Sequence, residues 1–352
     1  MDVLLKEAAL KSASDIHLTV GAPPILRIND QLIYAEYTDY AVLSQAETQK
    51  MFEQITDEVS QEKFRKTGEL DFAYEIAGVS RFRVNAYRQR GSIALAIRVI
   101  KEKAPELEEL GHLEILKSLA NKPHGLVLVT GPAGAGKSTT LAAMLNYINE
   151  ERCAHIITLE DPIEFWYHHQ KSIVNQREIG SDSLSFAAAL RAALREDPNI
   201  IMVGEMRDAE TISTAITAAE TGHLVLASLH TGDTTQAVDR IIDSFAPHQQ
   251  QQVRSQLALS LQGIIAQQLV PRKDGCGRVV AAEALLMTPA IANLIREGRN
   301  HQIYATIQTN SSIGMQTMDM SLRELFKKGL ISYKEVSRRI VNREMIQQMK
   351  KD

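Results

Sequence analysis

Cysteine is almost missing from this 352-residue chain: only Cys153 and Cys276 occur. They lie far apart and form no C-x-x-C pair, so the sequence speaks against a disulfide framework and a Cys-based zinc site, and a reduced, cytosolic protein is expected. Long apolar runs are missing too. No stretch approaches the roughly 18 residues that a membrane-spanning helix needs. The start, MDVLLKEAALK, carries charges within its apolar run and has no h-region, so no signal peptide is expected. Charge of one sign is also scarce: 39 Lys and Arg stand against 43 Asp and Glu, a net charge of −4. That disfavours a general nucleic-acid binder, although a local basic groove stays open. Aromatics make up 5% of the chain, leaving little to stack on bases. What remains, 44% hydrophobic and 23% charged, is a globular composition. The length allows one core but fits two domains better. No internal repeat is visible.

The chain is organised around residues 125–140, GLVLVTGPAGAGKSTT. Leu126 to Val129 reads as a buried parallel strand. The glycines then break the apolar run, and Lys137-Ser138 opens a helix over Thr139 to Ile148. Gly131 to Ser138 fits G-x-x-x-x-G-K-[ST], the phosphate-binding loop. The residue types follow from the chemistry. Gly131, Gly134 and Gly136 let the backbone turn with positive φ and approach phosphate oxygens without a Cβ clash. The amides of Ala133, Gly134, Ala135, Gly136, Lys137, Ser138 and Thr139 would form a nest at the positive end of a helix dipole. Lys137 would reach the β- and γ-phosphates and Ser138 would ligate Mg²⁺.

Before the loop, a short helix is expected over residues 1–11 and strands over 14–20 and 25–28. A tight turn follows at Asn29-Asp30, then a strand over 32–36 and one amphipathic helix over 44–66. Further strands are expected over 70–76, 80–88 and 93–100. Residues 1–100 thus form an α+β unit of roughly 100 residues. His17, on an alternating strand, reads as a core or edge histidine. Arg81, Arg83, Arg88, Arg90 and Arg98 crowd the end of this unit. Three meanings stay open: a solvated sheet face, a nucleic-acid surface, or arginines that reach another protomer's nucleotide and stabilise charge on its γ-phosphate. Residues 101–112, charged and carrying Pro105, read as a linker. The second domain runs over 113–352.

After the loop, His155 to Leu159 is a second buried strand delivering Glu160, Asp161 and Glu164. Acids at a strand's C-terminal end lie where open α/β sheets bind ligands, and could hold Mg²⁺ or its waters. A helix is expected over Ser183 to Glu196, with Ser183 before Leu184 as its N-cap. Asn199 to Glu205 is a third apolar strand ending in an acid, a Walker B pattern with Gly204 where many such NTPases have Asp. Glu205 is assigned as catalytic base, with Arg207 and Asp208 at the edge of the same site. A helix over Ala209 to Glu220 leads to a fourth strand, His223 to His230, with a histidine at each end. An imidazole at the C-terminal end would sense a γ-phosphate, while a structural histidine is the plainer alternative. Residues 247–269 are expected as one helix, with Val253, Leu257, Leu261, Ile264 and Ile265 on its apolar face. A terminal strand over 278–287 and helices over 289–297, 318–328 and 333–350 complete the chain.

Taken together, these segments resemble the PilT-type retraction ATPases of type IV pili, within the secretion-ATPase superfamily. The resemblance rests on SDIHL at 14–18, RFRVNAY at 81–87, the loop at 131–138, LEDPIEF at 159–165 and LREDPNIIMVGEMRD at 194–208. TGHLVLASLHT at 221–231, DRIID at 239–243 and GMQTMD at 314–319 complete the set. It covers essentially the whole chain. The fold class implied is α/β: a RecA-like P-loop ATPase core with an N-terminal α+β, PAS-like domain. The resemblance further implies a homo-hexameric ring using ATP and Mg²⁺. Glu205 would be the catalytic acid residue, Glu160, Asp161 and Glu164 the acidic box, and His223 and His230 the His box. Arg83 and Arg98 would complete the site, with Thr221 and Arg278 as contacts between subunits. The implied activity is ATP hydrolysis that retracts a type IV pilus for twitching motility, acting on an inner-membrane platform protein from the cytoplasmic side of the pilus base, with no direct nucleic-acid contact.

Departures are few. The loop has Ala133 and Ala135 where the family commonly has Thr and Ser; a backbone cradle tolerates both. Ala292 replaces an Arg in AIANLIREGR at 290–299, which bears on pilus engagement. Gly232-Asp233 follow the His box where HTT is more usual. Alternatives within the class are the extension ATPase, whose longer N-terminus and four-cysteine zinc site are missing here, and an accessory paralogous retraction ATPase. Alternatives outside it are a RecA-like nucleic-acid motor and a non-hydrolysing nucleotide-binding regulator.

Overall fold

The computed structural model describes residues 1–28, 31–35, 42–100, 104–110, 113–275 and 277–342. The Asn29-Asp30 turn, Glu36, Cys276 and positions 343–350 of the last expected helix lie outside them. The chain divides into two compact units. One is Met1–Lys103 with Glu164–Trp166; the other is Ala104–Ile163 and Tyr167–Asp352.

The first unit holds β1 (Asp15–Leu18), β2 (Ile25–Ile28), β3 (Gln31–Tyr34), β4 (Glu69–Ile76), β5 (Ser80–Gln89) and β6 (Ser92–Ile100). They form an antiparallel sheet in the order β3-β2-β1-β6-β5-β4. Alternation decides the faces. On β5, Phe82, Val84 and Ala86 are buried while Arg81, Arg83 and Asn85 are half-buried. The buried face packs with α1 (Asp2–Leu10), α2 (Gln45–Gln54) and α3 (Glu58–Thr67). The helix expected over 44–66 is therefore two helices. Thr56 Oγ1 donates to the Phe52 carbonyl at 2.7 Å, and the Asp57 carboxylate accepts from Ser60 N at 2.7 Å as an N-cap. Side chains that satisfy backbone groups locally end one helix and start the next. The break lets Phe52 and Phe64 meet in the core with ring centroids 4.7 Å apart.

The second unit starts with a 3₁₀ turn, Leu107–Leu110, in which Leu107 is buried. Part of the expected linker 101–112 thus packs into this unit, while residues 101–103 and 111–112 lie outside the described ones. There follow α4 (Leu113–Ala120), β7 (Gly125–Thr130), α5 (Lys137–Glu151), β8 (His155–Glu160), β9 (Ile173–Glu178), α6 (Phe186–Ala193), β10 (Ile200–Val203), α7 (Ala209–Glu220), β11 (Leu224–Leu229) and α8 (Thr234–Asp243). The chain ends with α9 (Pro247–Ser260), β12 (Leu261–Pro271), β13 (Arg278–Leu286), α10 (Pro289–Arg296), α11 (Ile303–Thr309), α12 (Met318–Lys327) and α13 (Tyr333–Arg339). The sheet order is β13-β12-β7-β11-β10-β8-β9. All neighbours are parallel except β12 and β13. Every residue of β7, β10 and β11 is buried, as expected of parallel strands covered on both faces. In register, Thr130 faces Leu229 and Val203 faces both Leu159 and Ala227. The carboxyl ends of β7, β8, β10 and β11 therefore lie side by side, where such sheets place ligands.

Two expectations are corrected. Residues 247–269 are a helix only to Ser260; Leu261 onward is β12, paired with β7. Leu261, Ile264 and Ile265 happen to continue the helical spacing of Val253 and Leu257. A strand buried on both faces shows no alternation to contradict it. The helix expected at 183 starts at Phe186 and is capped by Ser185, whose side chain accepts from Ala188 N at 3.2 Å; Leu184 is 96% exposed and anchors nothing. No helix among the described residues is long and apolar enough to cross a membrane.

Candidate functional site

The loop between β7 and α5 is fixed by close backbone approaches. A Cβ on Gly131, whose φ is +152°, would lie 2.4 Å from the Gln267 carbonyl oxygen. Gly136 takes φ +86° as the residue before α5 and has no side chain to cap the helix. The first-turn amides and the positive end of the α5 dipole are thus presented to the loop. Lys137 is buried; its Nζ donates to the carbonyls of Gly131 (2.8 Å) and Pro132 (3.0 Å).

The neighbouring strand ends complete a polar chain. His230, after β11, places Nδ1 3.3 Å from Lys137 Nζ and Nε2 3.3 Å from Glu205 Oε1. An ammonium can only donate and a carboxylate only accept. The neutral ring that satisfies both therefore carries its proton on Nε2 and offers Nδ1 as acceptor. Glu205 Oε2 meets the Arg207 guanidinium at 2.7 Å. Burial pushes the Glu205 carboxyl up, but the Arg207 hydrogen bond and the attraction of His230, Arg207 and Lys137 outweigh it. The group is held below the usual glutamate range and stays ionised. The same contact raises the Arg207 guanidinium further. Gly204 explains itself by packing: a Cβ there would lie 3.1 Å from the Leu159 carbonyl, and Gly204 N donates to that oxygen at 2.8 Å.

Glu160, at the end of β8, is buried and accepts from Thr158 Oγ1 (2.6 Å) and Gln176 Nε2 (3.1 Å). Asp161 follows it, exposed, and Glu164 groups with the first unit. Among the described residues no three His, Cys, Asp or Glu side chains are placed to hold a metal ion. Ser138 is exposed in the first turn of α5. His223 precedes β11, at the opposite end of that strand from His230, with Nδ1 3.0 Å from the Ala218 carbonyl. The structure does not bring it to the loop. Asp208, the residue after Arg207, caps α7, accepting from Thr211 N and Thr211 Oγ1, both at 2.8 Å. Asp233 caps α8 in the same way, accepting from Gln236 N at 2.7 Å, while Gly232 N donates to Gln236 Oε1.

In the first unit, Arg83 and Arg98 are cross-strand neighbours on β5 and β6. Arg98 Nε donates to Asp15 Oδ1 at 3.0 Å, and Arg83 Nε lies 3.9 Å from Asp71 Oδ1. Arg81 shares the β5 face of Arg83, while the other two split off: Arg88 lies over the Phe64 ring, and Arg90 sits in a turn with φ +50°.

Three features were not legible beforehand. A cavity of ≈ 380 Å³ lies beside the loop, lined by Gly136, Thr139, Leu269, Arg272, Arg278 and Lys328 among others. Arg278 therefore faces a cavity of its own unit. Thr130 at the end of β7 is tied to Thr231 through its hydroxyl, which donates to Thr231 O at 2.9 Å and accepts from Thr231 N at 3.0 Å. Gln267, buried on β12, holds the loop from behind. Its signal was a glutamine inside an apolar strand, hidden by the helical reading of that stretch.

Comparison with known proteins bears on the whole chain. The family model described as type II/IV secretion system protein matches residues 1–338. The type IV pilus retraction ATPase PilT of Pseudomonas aeruginosa is 48% identical over 334 residues, covering 94% of this chain and 96% of that one. The type IV pilus ATPase PilU of the same organism is 42% identical over 332 residues, covering 94% of this chain and 86% of that one. A crystal structure of the pilus retraction motor PilT with bound ADP superposes with a TM-score of 0.91 at 47% identity, covering 98% of both chains. The chain belongs to the type II/IV secretion system protein family.

Proposed function

We propose that this protein hydrolyses ATP to drive retraction of a type IV pilus. The observation that carries the reading is the Lys137–His230–Glu205 chain at the carboxyl ends of parallel strands, set against a phosphate loop. The relatives' names supply the pilus.

The loop amides from Ala133 to Thr139 hold the β-phosphate, and Lys137 exchanges its two carbonyl partners for β- and γ-phosphate oxygens. The cavity beside Thr139 takes the nucleoside. Glu205, kept ionised, accepts a proton from the attacking water. His230 links Glu205 to Lys137, so loss of the γ-phosphate is felt at the base. Mg²⁺ suits this site: it binds through phosphate oxygens, waters and one or two protein oxygens, needing no carboxylate cage. Ser138 would hold it directly, with Glu160 and Asp161 as the acidic groups around it, and the ion would offset phosphate charge. Arg83 and Arg98 act in trans, on the nucleotide of the next copy in a homo-hexamer. His223 has no place in this chain's own site. Residues 1–100 form the PAS-like domain and 113–352 the RecA-like ATPase domain; of the linker, 101–112, the turn Leu107–Leu110 belongs to the ATPase domain. The ring works at the cytoplasmic face of the inner membrane, on the platform protein of the pilus machinery.

Two substitutions test this. Lys137→Ala should abolish ATP binding in calorimetry. Glu205→Gln should bind ATP with near-normal affinity and lose about 10²–10⁴ in turnover. Unchanged affinity in the first, or less than about a tenfold loss of turnover in the second, would sink the assignment.

A further inference from the structure

Gln267 is 1% exposed, an uncharged amide sealed in the sheet beside the phosphate loop. Its Oε1 accepts from Thr140 Oγ1 at 2.9 Å, and its Nε2 donates to the Ala135 carbonyl at 2.8 Å. The orientation of the amide is forced. A backbone carbonyl can only accept, so the NH₂ end must face Ala135.

Gln267 touches the loop at both ends. Its own carbonyl oxygen is the atom that a Cβ on Gly131 would meet, and its Nε2 lies 3.2 Å from where a Gly136 Cβ would sit. The Thr140 bond adds the first turns of α5. The decisive contact is the one to Ala135. A trans peptide is planar, with C=O and the following N–H pointing in opposite directions. Drawing the Ala135 carbonyl back onto Gln267 therefore turns the Gly136 N–H away from Gln267, toward the concave side of the loop. A flipped peptide would instead aim a carbonyl oxygen at an incoming phosphate.

We propose that Gln267 is a positioning residue that sets the orientation of the Ala135–Gly136 peptide and thereby the affinity of the loop for a nucleoside diphosphate. This rests on the nucleotide-binding reading above. No group on Gln267 touches the nucleotide; it acts through the peptide.

The experiment compares Gln267→Met with Thr140→Val by calorimetry with ADP, alongside unfolding temperatures without nucleotide. Each variant removes a buried hydrogen bond of Gln267, but only the first releases the peptide. Gln267→Met should weaken ADP binding about tenfold or more, the equivalent of one lost hydrogen bond. Thr140→Val should stay within about threefold of wild type even where its unfolding temperature falls equally. The β-phosphorus resonance of ADP bound at saturation should move in Gln267→Met and not in Thr140→Val. Should Gln267→Met fail to fold, Gln267→Leu replaces it: the side chain is apolar and offers no donor to Ala135, and the same loss is expected. Equal weakening in Gln267→Met and Thr140→Val would mean a merely structural role and overturn the proposal. So would ADP affinity in Gln267→Met, or in Gln267→Leu, within about threefold of wild type. Wild-type protein that binds no ADP would overturn the nucleotide reading itself, and this proposal with it.

Discussion

Replacing Glu283 should cost the second unit much of its margin of stability. Glu283 lies on β13 and is 2% exposed. Its Oε1 accepts from Thr234 N (3.0 Å) and Thr234 Oγ1 (2.7 Å), and its Oε2 from Met318 N (3.4 Å). Thr234 and Met318 are the first residues of α8 and α12, so one buried carboxylate serves two helix N-termini, where dipoles favour negative charge. Glu283→Ala leaves two backbone donors buried without it. A stranded donor costs about 1–3 kcal/mol, and the long Met318 contact belongs at the low end, giving about 2–4 kcal/mol in all. For a unit of this size, about 2–4 °C per kcal/mol translates this into a fall of roughly 5–15 °C in unfolding temperature. Glu283→Gln keeps an acceptor for Thr234 but turns an NH₂ group toward Met318, so a smaller loss, about 1 kcal/mol, is expected. Calorimetry and urea unfolding of the three proteins, without nucleotide, measure the series. If Glu283→Ala unfolds within about 0.5 kcal/mol of wild type, the carboxylate does not hold these helices and the reasoning fails.

Two further predictions concern the reaction. Arg83→Ala and Glu205→Gln should each be inactive alone and regain ATPase activity when mixed, since an intact base and an intact arginine then meet between copies; full activity of Arg83→Ala alone would remove the trans role. The Glu205 carboxyl is depressed in the folded protein, so its base form persists above that lowered value and is lost only as pH falls through it. The acid limb of the kcat profile should therefore lie below the usual glutamate range, and Arg207→Ala should move it upward; a limb that stays in place would take Arg207 out of the electrostatics of the base.

Most of the loop was legible because its signals are local. A buried strand, glycines at fixed offsets and a helix opening on Lys137 follow one another within a few residues. Glu205 and His230 were legible for a related reason: each ends an apolar strand, and parallel strands bring their carboxyl ends together. What was hidden depends on contacts distant in sequence. The strand at 261–271 carries no alternation, because β7 and β13 flank it and both its faces are covered. Its spacing mimicked the helix before it, and Gln267 disappeared into that helix. Asp208 looked like a site acid because it follows Glu205, and Asp233, after the His box, carried no assignment. The structure assigns both to helix caps, a task for which Asp is equally suited. His223 shows the limit of symmetry in a sequence: the two ends of one strand lie at opposite ends of the sheet, and only the carboxyl end meets the loop.

The sheet order also bears on how the chain is made. β7, which carries the phosphate loop, is flanked by β11 and β12, both encoded far downstream. A growing chain that has just produced Gly125–Thr130 has neither neighbour to offer it. The first is complete only at Leu229 and the second only at Pro271. At translation speeds of about 5–20 residues per second, this apolar strand stays unpaired on both edges for on the order of ten seconds. The segment that later binds nucleotide is thus one that the nascent chain most needs shielded, and a ribosome-bound chain stalled before residue 224 should be a substrate for chaperones rather than a folded core.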